Sequence, residues 1–129
     1  MSRYLLDTST LVDFSKGYEP VRTRVLALIE ASDVVGTCAV VVAEFYSGLP
    51  PDVRPSWDRF FASLTYWEIT REVAAMAGQD RYDFARRGQA LATTDLLVAA
   101  VARQNDAIIV TDNAKDFPGS GVRLLSLRS

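Results

Sequence analysis

Four acidic positions carry the chemistry that this sequence offers. Asp7 closes the apolar run "RYLLD" and is followed by the hydroxyls of "TST"; Glu44 stands alone inside "VVVAEFYSGL"; Asp95 opens "DLLVAA". The fourth source is "TDNAKDF" at 111 to 117, which places Asp112, Asn113 and Asp116 directly after "AIIV". Taken singly, each acid has an ordinary explanation: a turn or cap residue, a solvent-facing glutamate, a carboxylate favoured by the dipole at a helix start. Taken together they do not. Two ionised carboxylates about 4 Å apart repel by roughly 4 kcal/mol at an effective dielectric near 20, so several in one cleft require positive charge among them. A divalent cation meets that need. The chain has no histidine and one cysteine, so an all-oxygen donor set points to Mg²⁺ or Mn²⁺. Such an ion acidifies a bound water and grips a phosphodiester during in-line attack, which is hydrolytic phosphoryl transfer.

The acids can meet only if the intervening elements bring them to one edge. "RYLLD" (3 to 7), "DVVGT" (33 to 37), "AIIVT" (107 to 111) and "RLLSL" (123 to 127) read as short buried strands, with "TYWEI" (65 to 69) a weaker fifth. Helical patterns lie between them. Pro20 suits a first helical turn, and Val21, Val25, Leu28 and Ile29 mark one apolar face. "AVVVAEFYSGLPP" is read as a helix that stops at Gly48 and the Pro50-Pro51 pair, despite its valine run. Trp57, Phe60, Phe61 and Leu64 form a stripe read as core rather than a base-stacking platform. Thr70 is the expected cap of "REVAAMAGQDRYDFARRG", with Val73, Ala77 and Phe84 on its inner side, and Thr94 the expected cap of "DLLVAAVARQND". Ser9 is read either as a helix cap or as an outer-shell support for a metal-bound water. This alternation predicts one α/β domain over 1–129, a three-layer α/β/α sandwich around a mainly parallel, roughly five-stranded sheet. In that architecture, ligands bind outside the carboxyl ends of the strands.

Composition sets bounds. At 129 residues and 49% apolar content the chain can bury one core. No run approaches the length of a membrane span and "MSRYLLDTST" meets its carboxylate too early for a secretory signal, so a cytoplasmic location is expected. Cys38, within "VVGTCAVVV", is expected to be a small buried side chain. Without histidine, Ser-His-Asp and Cys-His catalysis are excluded. A net charge of −2 gives no general attraction to nucleic acid. Arg86, Arg87, Arg103 and Lys115 lie near the acids in sequence and are candidates to rim a cleft and neutralise phosphates.

Over nearly its whole length the sequence resembles the PIN-domain ribonucleases, and among them the VapC-type toxins of toxin–antitoxin pairs. The resemblance rests on "YLLDTSTLVDF", "VAEFYSGL", "RRGQALATTDLLVAAVARQNDAIIVTDNAKDF" and the closing "VRLLSL". It implies that Asp7, Glu44 and Asp95 are Mg²⁺ ligands and water-activating carboxylates. The fourth acidic position falls in a pattern like T-x-(N/D)-x-x-(D/E)-F, where Asn113 fills the earlier slot; Asp116 is then the expected carboxylate, with Asp112 the runner-up. The same resemblance implies metal-dependent endonucleolytic cleavage of RNA, a homodimer, and inhibition by a cognate antitoxin that covers the groove.

Other readings remain open at this level. A catalytically silent module could use the fold to hold antitoxin or RNA. A phosphoacceptor receiver domain wants paired acids after the first strand, where Thr8 stands here, and a haloacid-dehalogenase-type phosphatase wants a second Asp at the position of Ser9.

Overall fold

The computed structural model describes residues 2–31, 34–119 and 121–129; Asp33, which opens the expected second strand, lies outside them. The chain runs β1 (Arg3–Leu6), α1 (Thr8–Ser15), α2 (Val21–Glu30), β2 (Val34–Cys38), α3 (Ala39–Ser47), α4 (Arg54–Ala62), β3 (Thr65–Trp67), α5 (Arg71–Arg86), α6 (Thr93–Gln104), β4 (Ala107–Val110) and β5 (Leu124–Leu125), with short 3₁₀ turns at Pro51–Val53 and Ala114–Asp116. All five strands are parallel, in the order β3-β2-β1-β4-β5. This is the α/β/α architecture expected, and the sheet is entirely parallel. The order differs from the 2-1-3-4-5 arrangement of receiver domains.

Side chains of successive strand residues point to opposite faces, so burial of neighbours tests whether both faces are covered. Leu5 and Leu6 are each fully buried, as are Ile109 and Val110. Helices therefore pack on both sides of the two central strands. From β1 the chain steps outward to β2 and β3, then crosses back to β4 on the other side of β1. Right-handed crossovers put the helices of those two legs on opposite faces of the sheet. The direction of travel reverses between β1 and β4, and a crevice opens at their carboxyl ends. Asp7 follows one of these strands and the 111–116 segment follows the other.

Local sequence accounts for the helices. In α3, Val41 and Phe45 are buried one helical turn apart, and this burial outweighs the strand preference of the valines. The Thr70 side chain accepts the Val73 N–H at 3.1 Å and caps α5, whose buried residues are Val73, Ala77 and Phe84 as the pattern predicts. α6 begins two residues earlier than expected: Ala92 occupies the N-cap position and Thr94 lies inside the first turn, so Thr94 is not the cap. The aromatic stripe is half-buried core, with Trp57 against Phe45 at 4.8 Å and Phe14 against Phe60 at 5.2 Å between ring centroids. Gly36 has a packing reason: a Cβ there would meet the Thr65 carbonyl and the Trp67 ring at 2.8 Å. β3 and β5 are shorter than the apolar runs that announce them, as edge strands often are. Cys38 is fully buried. Among the described residues, no helix is long and apolar enough to cross a membrane.

Candidate active site

A cleft of about 290 Å³ lies at the carboxyl edge of β1 and β4, lined by Asp7, Thr8, Ser9, Glu44, Asp95, Asn113 and Asp116. Four elements contribute one acid each: the β1–α1 junction, the middle of α3, the first turn of α6 and the 3₁₀ turn after β4. The sequence-predicted carboxylates are therefore brought together, with Ser9 and Asn113 beside them.

Hydroxyls hold two of the acids in place. Asp7 is 8% exposed, and its N–H donates to the Val110 carbonyl at 3.0 Å, fixing it to the end of β4. It occupies the N-cap position of α1 yet its side chain makes no cap hydrogen bond, so the ordinary explanation for an aspartate here does not apply. Instead the Thr111 hydroxyl donates to Asp7 Oδ2 at 2.9 Å, while Thr111 Oγ1 accepts the Asn113 N–H at 3.1 Å. Ser9 lies within α1 rather than at its cap. Its Oγ accepts the Asp112 N–H at 3.2 Å and sits 3.4 Å from Thr111 Oγ1, so it ties the loop after β4 to α1. The Thr8 hydroxyl donates to Glu44 Oε1 at 2.8 Å. Sequence reasoning did not single out Thr8 and Thr111. The available signal was a threonine directly beside an acid at each of the two strand ends.

Electrostatics shows the acids feeling one another. Burial raises the Asp7 carboxyl above the usual range; the Thr111 hydroxyl and Thr8 N–H oppose this, and the charges of Glu44 and Asp116 add to it. Asp95 is pushed up to about 6, first by burial and then by Asp116, Asp7 and Glu44. A helix N-terminus alone would stabilise its charge, so the neighbouring acids and desolvation outweigh the dipole. Among the described residues no lysine or arginine forms an ion pair with any of the four. Nor do any three acidic or cysteine side chains stand there in closed ligating geometry; the four acids share the lining of one cleft. Hard oxygen donors of one sign around a small cleft suit a hard divalent cation, and Asp7, Glu44, Asp95 and Asp116 are the side chains that would hold it.

Asp112 has a different fate. Its carboxylate pairs with Arg128 at 2.9 Å and does not line the cleft. The basic candidates also divide. Arg103 stands in the last turn of α6, about 12 Å along the helix from Asp95, and pairs with Asp80 at 2.6 Å, so it does not rim the cleft. Arg86 and Arg87, at the end of α5, lie over the rings of Tyr82 and Phe84. Lys115 is exposed beside Asp116.

Residues 4–118 match the PIN domain family model. The chain belongs to the PIN-domain family. Ribonuclease VapC19 of Mycobacterium tuberculosis is 30% identical over 117 residues, covering 88% of this chain and 91% of that protein. Among solved structures, a DNA-bound VapBC from Salmonella typhimurium superposes with a TM-score of 0.83 at 23% identity, over 98% of this chain and 99% of that one. A toxin–antitoxin complex from Klebsiella pneumoniae gives 0.71 at 20% identity, covering 90% and 91%. The PIN match spans β1 to the 3₁₀ turn after β4 and so contains all four cleft acids; Arg128 lies beyond it.

Proposed function

We infer that this PIN-domain protein is a metal-dependent endoribonuclease, the toxin of a toxin–antitoxin pair. The observation that carries the inference is the convergence of four carboxylates, from four separate elements and with no basic partner among the described residues, on one cleft at the sheet's switch point. Mg²⁺ or Mn²⁺ bound there would supply a grip on the phosphate oxygens and an acidified water. The chain's own residues do the rest. Thr111 and Thr8 fix the directions of Asp7 and Glu44, limiting the reorganisation needed when charge develops. With no histidine available, the proton leaving the attacking water passes to a carboxylate. RNA as substrate and a protein antitoxin as inhibitor are supported by the relatives' names, VapC ribonucleases and VapBC or toxin–antitoxin complexes. A homodimer and a cytoplasmic site of action belong to the same reading.

The test incubates labelled structured RNAs with the wild-type protein and with Asp95→Asn, in Mg²⁺, Mn²⁺ or EDTA. Cleavage by the wild type with either metal, abolished by EDTA and by the substitution, is the expected result. RNA or antitoxin binding without any cleavage would instead identify a catalytically silent module. Cleavage that survives both EDTA and Asp95→Asn would contradict the mechanism.

A further inference from the structure

Two carboxylates stand in the loop after β4, four residues apart, and only one of them lines the cleft. The backbone of the loop is held by the Ser9 and Thr111 hydroxyls. The one that does not line the cleft, Asp112, is paired with Arg128. Its guanidinium donates from Nε and a terminal nitrogen to the two oxygens of Asp13, at 2.9 and 3.0 Å, and Nε also lies 2.9 Å from Asp112 Oδ2. The Asp13 side chain is 11% exposed and sits in α1, the helix that starts immediately after Asp7. The Ser126 hydroxyl approaches Asp112 Oδ1 at 3.4 Å, and the Tyr18 ring lies 5.3 Å from the guanidinium carbon. The tail is itself tied down, because Arg24 donates to the Leu127 carbonyl at 3.0 Å. A planar fork between two carboxylates fixes direction as well as charge.

We propose that Arg128 is a positioning residue that selects which acid of this loop serves the cleft, holding Asp112 against α1 so that Asp116 alone completes the carboxylate set. This rests on the nuclease reading above. Without the guanidinium, Asp112 has no cationic partner within the described ion pairs, and it stands next to a cleft that attracts any carboxylate once a cation is present. It then competes with Asp116, and the loop samples two arrangements. Arg128 is not among the residues that line the cleft, and its described ion pairs are with Asp13 and Asp112, so its effect passes through Asp112.

Removing Arg128 alone would leave Asp13 buried and unpaired, so the test is made in Asp13→Asn protein, where that charge is gone. Three variants are compared: Asp13→Asn, Asp13→Asn/Arg128→Ala, and the latter with Asp112→Asn added. Thermal unfolding confirms that each is folded. We expect Arg128→Ala to lower kcat for RNA cleavage by about tenfold to a hundredfold with little change in KM, the size expected of a misplaced reacting group, and to raise the Mg²⁺ concentration for half-maximal rate. Adding Asp112→Asn is expected to restore most of the lost kcat by removing the competitor. Equal impairment with and without Asp112→Asn would overturn the proposal, leaving Arg128 a purely structural tie. Full activity of Asp13→Asn/Arg128→Ala would overturn it as well. If the wild type cleaves no RNA, the nuclease reading fails, and amide NMR of residues 112–116 still decides on Arg128: the wild type should show one loop state, Asp13→Asn/Arg128→Ala two or a broadened set in Mg²⁺, and the Asp112→Asn addition one again. A single unaltered set throughout would refute the selection.

Discussion

The protein treats its acids in two opposite ways. Asp13 and Asp112 share Arg128, and Asp80 is held by Arg103 at 2.6 Å. Asp7, Glu44, Asp95 and Asp116, by contrast, line one cleft with no guanidinium or ammonium paired to them among the described residues. Twelve arginines were available in the sequence. Paired acids serve the fold. Acids left unpaired and partly buried cost stability, and they persist where something outside the chain is to neutralise them.

Substitution within each set sharpens this contrast. Asp7→Asn, which keeps the Thr111 hydrogen-bonding volume while deleting charge, should reduce RNA cleavage by about 100-fold or more. It should leave the metal-free melting temperature unchanged or raise it, because it removes repulsion from Glu44 and Asp116. Asp13→Ala should do the reverse: a stability loss of about 1–3 kcal/mol from the broken charge-assisted hydrogen bonds, measured by denaturant unfolding, with the smaller effect on cleavage. If Asp7→Asn destabilised the metal-free protein as much as Asp13→Ala does, the division between the two sets would fail.

A pH titration probes the same difference more gently. The Asp95 carboxyl sits near 6 in the folded chain, above its unfolded value. The folded protein therefore holds the extra proton between the two values, and stability falls as pH rises. The stabilisation is complete below the unfolded value near 4 and is lost as pH rises through about 6. Relative to Asp95→Asn, the metal-free wild type should lose melting temperature between pH 4 and pH 7. Mg²⁺ should raise the melting temperature more at pH 7 than at pH 5, where protons compete for the ligand oxygens. A parallel pair of pH curves for wild type and Asp95→Asn would contradict this. The smallest expected effect is that of Arg86→Ala/Arg87→Ala on RNA affinity. Neither arginine lines the cleft, so a weakening of a fewfold that fades with added salt is predicted, measured by filter binding at two salt concentrations. Affinity unchanged at both would remove this end of α5 from the RNA path.

Much of this site was legible in the residues themselves. The runs around Leu5 and Ile109 have no polar alternation, which reads as strands covered on both faces, and such strands place Asp7 and Asp116 at one edge. Thr70 announced its helix through a local rule that needs only neighbouring residues. Interactions set by the tertiary fold were not legible. Thr111 meets Asp7 across 104 positions because β1 pairs with β4, and Arg128 meets Asp13 across 115 because the tail returns over α1. No local pattern encodes either contact. The same blindness made Arg103 look close to the acids: it shares a helix with Asp95 but stands at the other end.

The central claim is that the four acids of the cleft are the ligands of one divalent-cation site. Mn²⁺ soaked into crystals of the protein, located by anomalous scattering, tests it most directly. The account predicts a peak within coordination distance of carboxylate oxygens from Asp7, Asp95 and at least one of Glu44 and Asp116, absent from Asp95→Asn crystals. A cleft without a peak at saturating Mn²⁺, or Mn²⁺ seated instead on Asp13, Asp80 or Asp112, would contradict it.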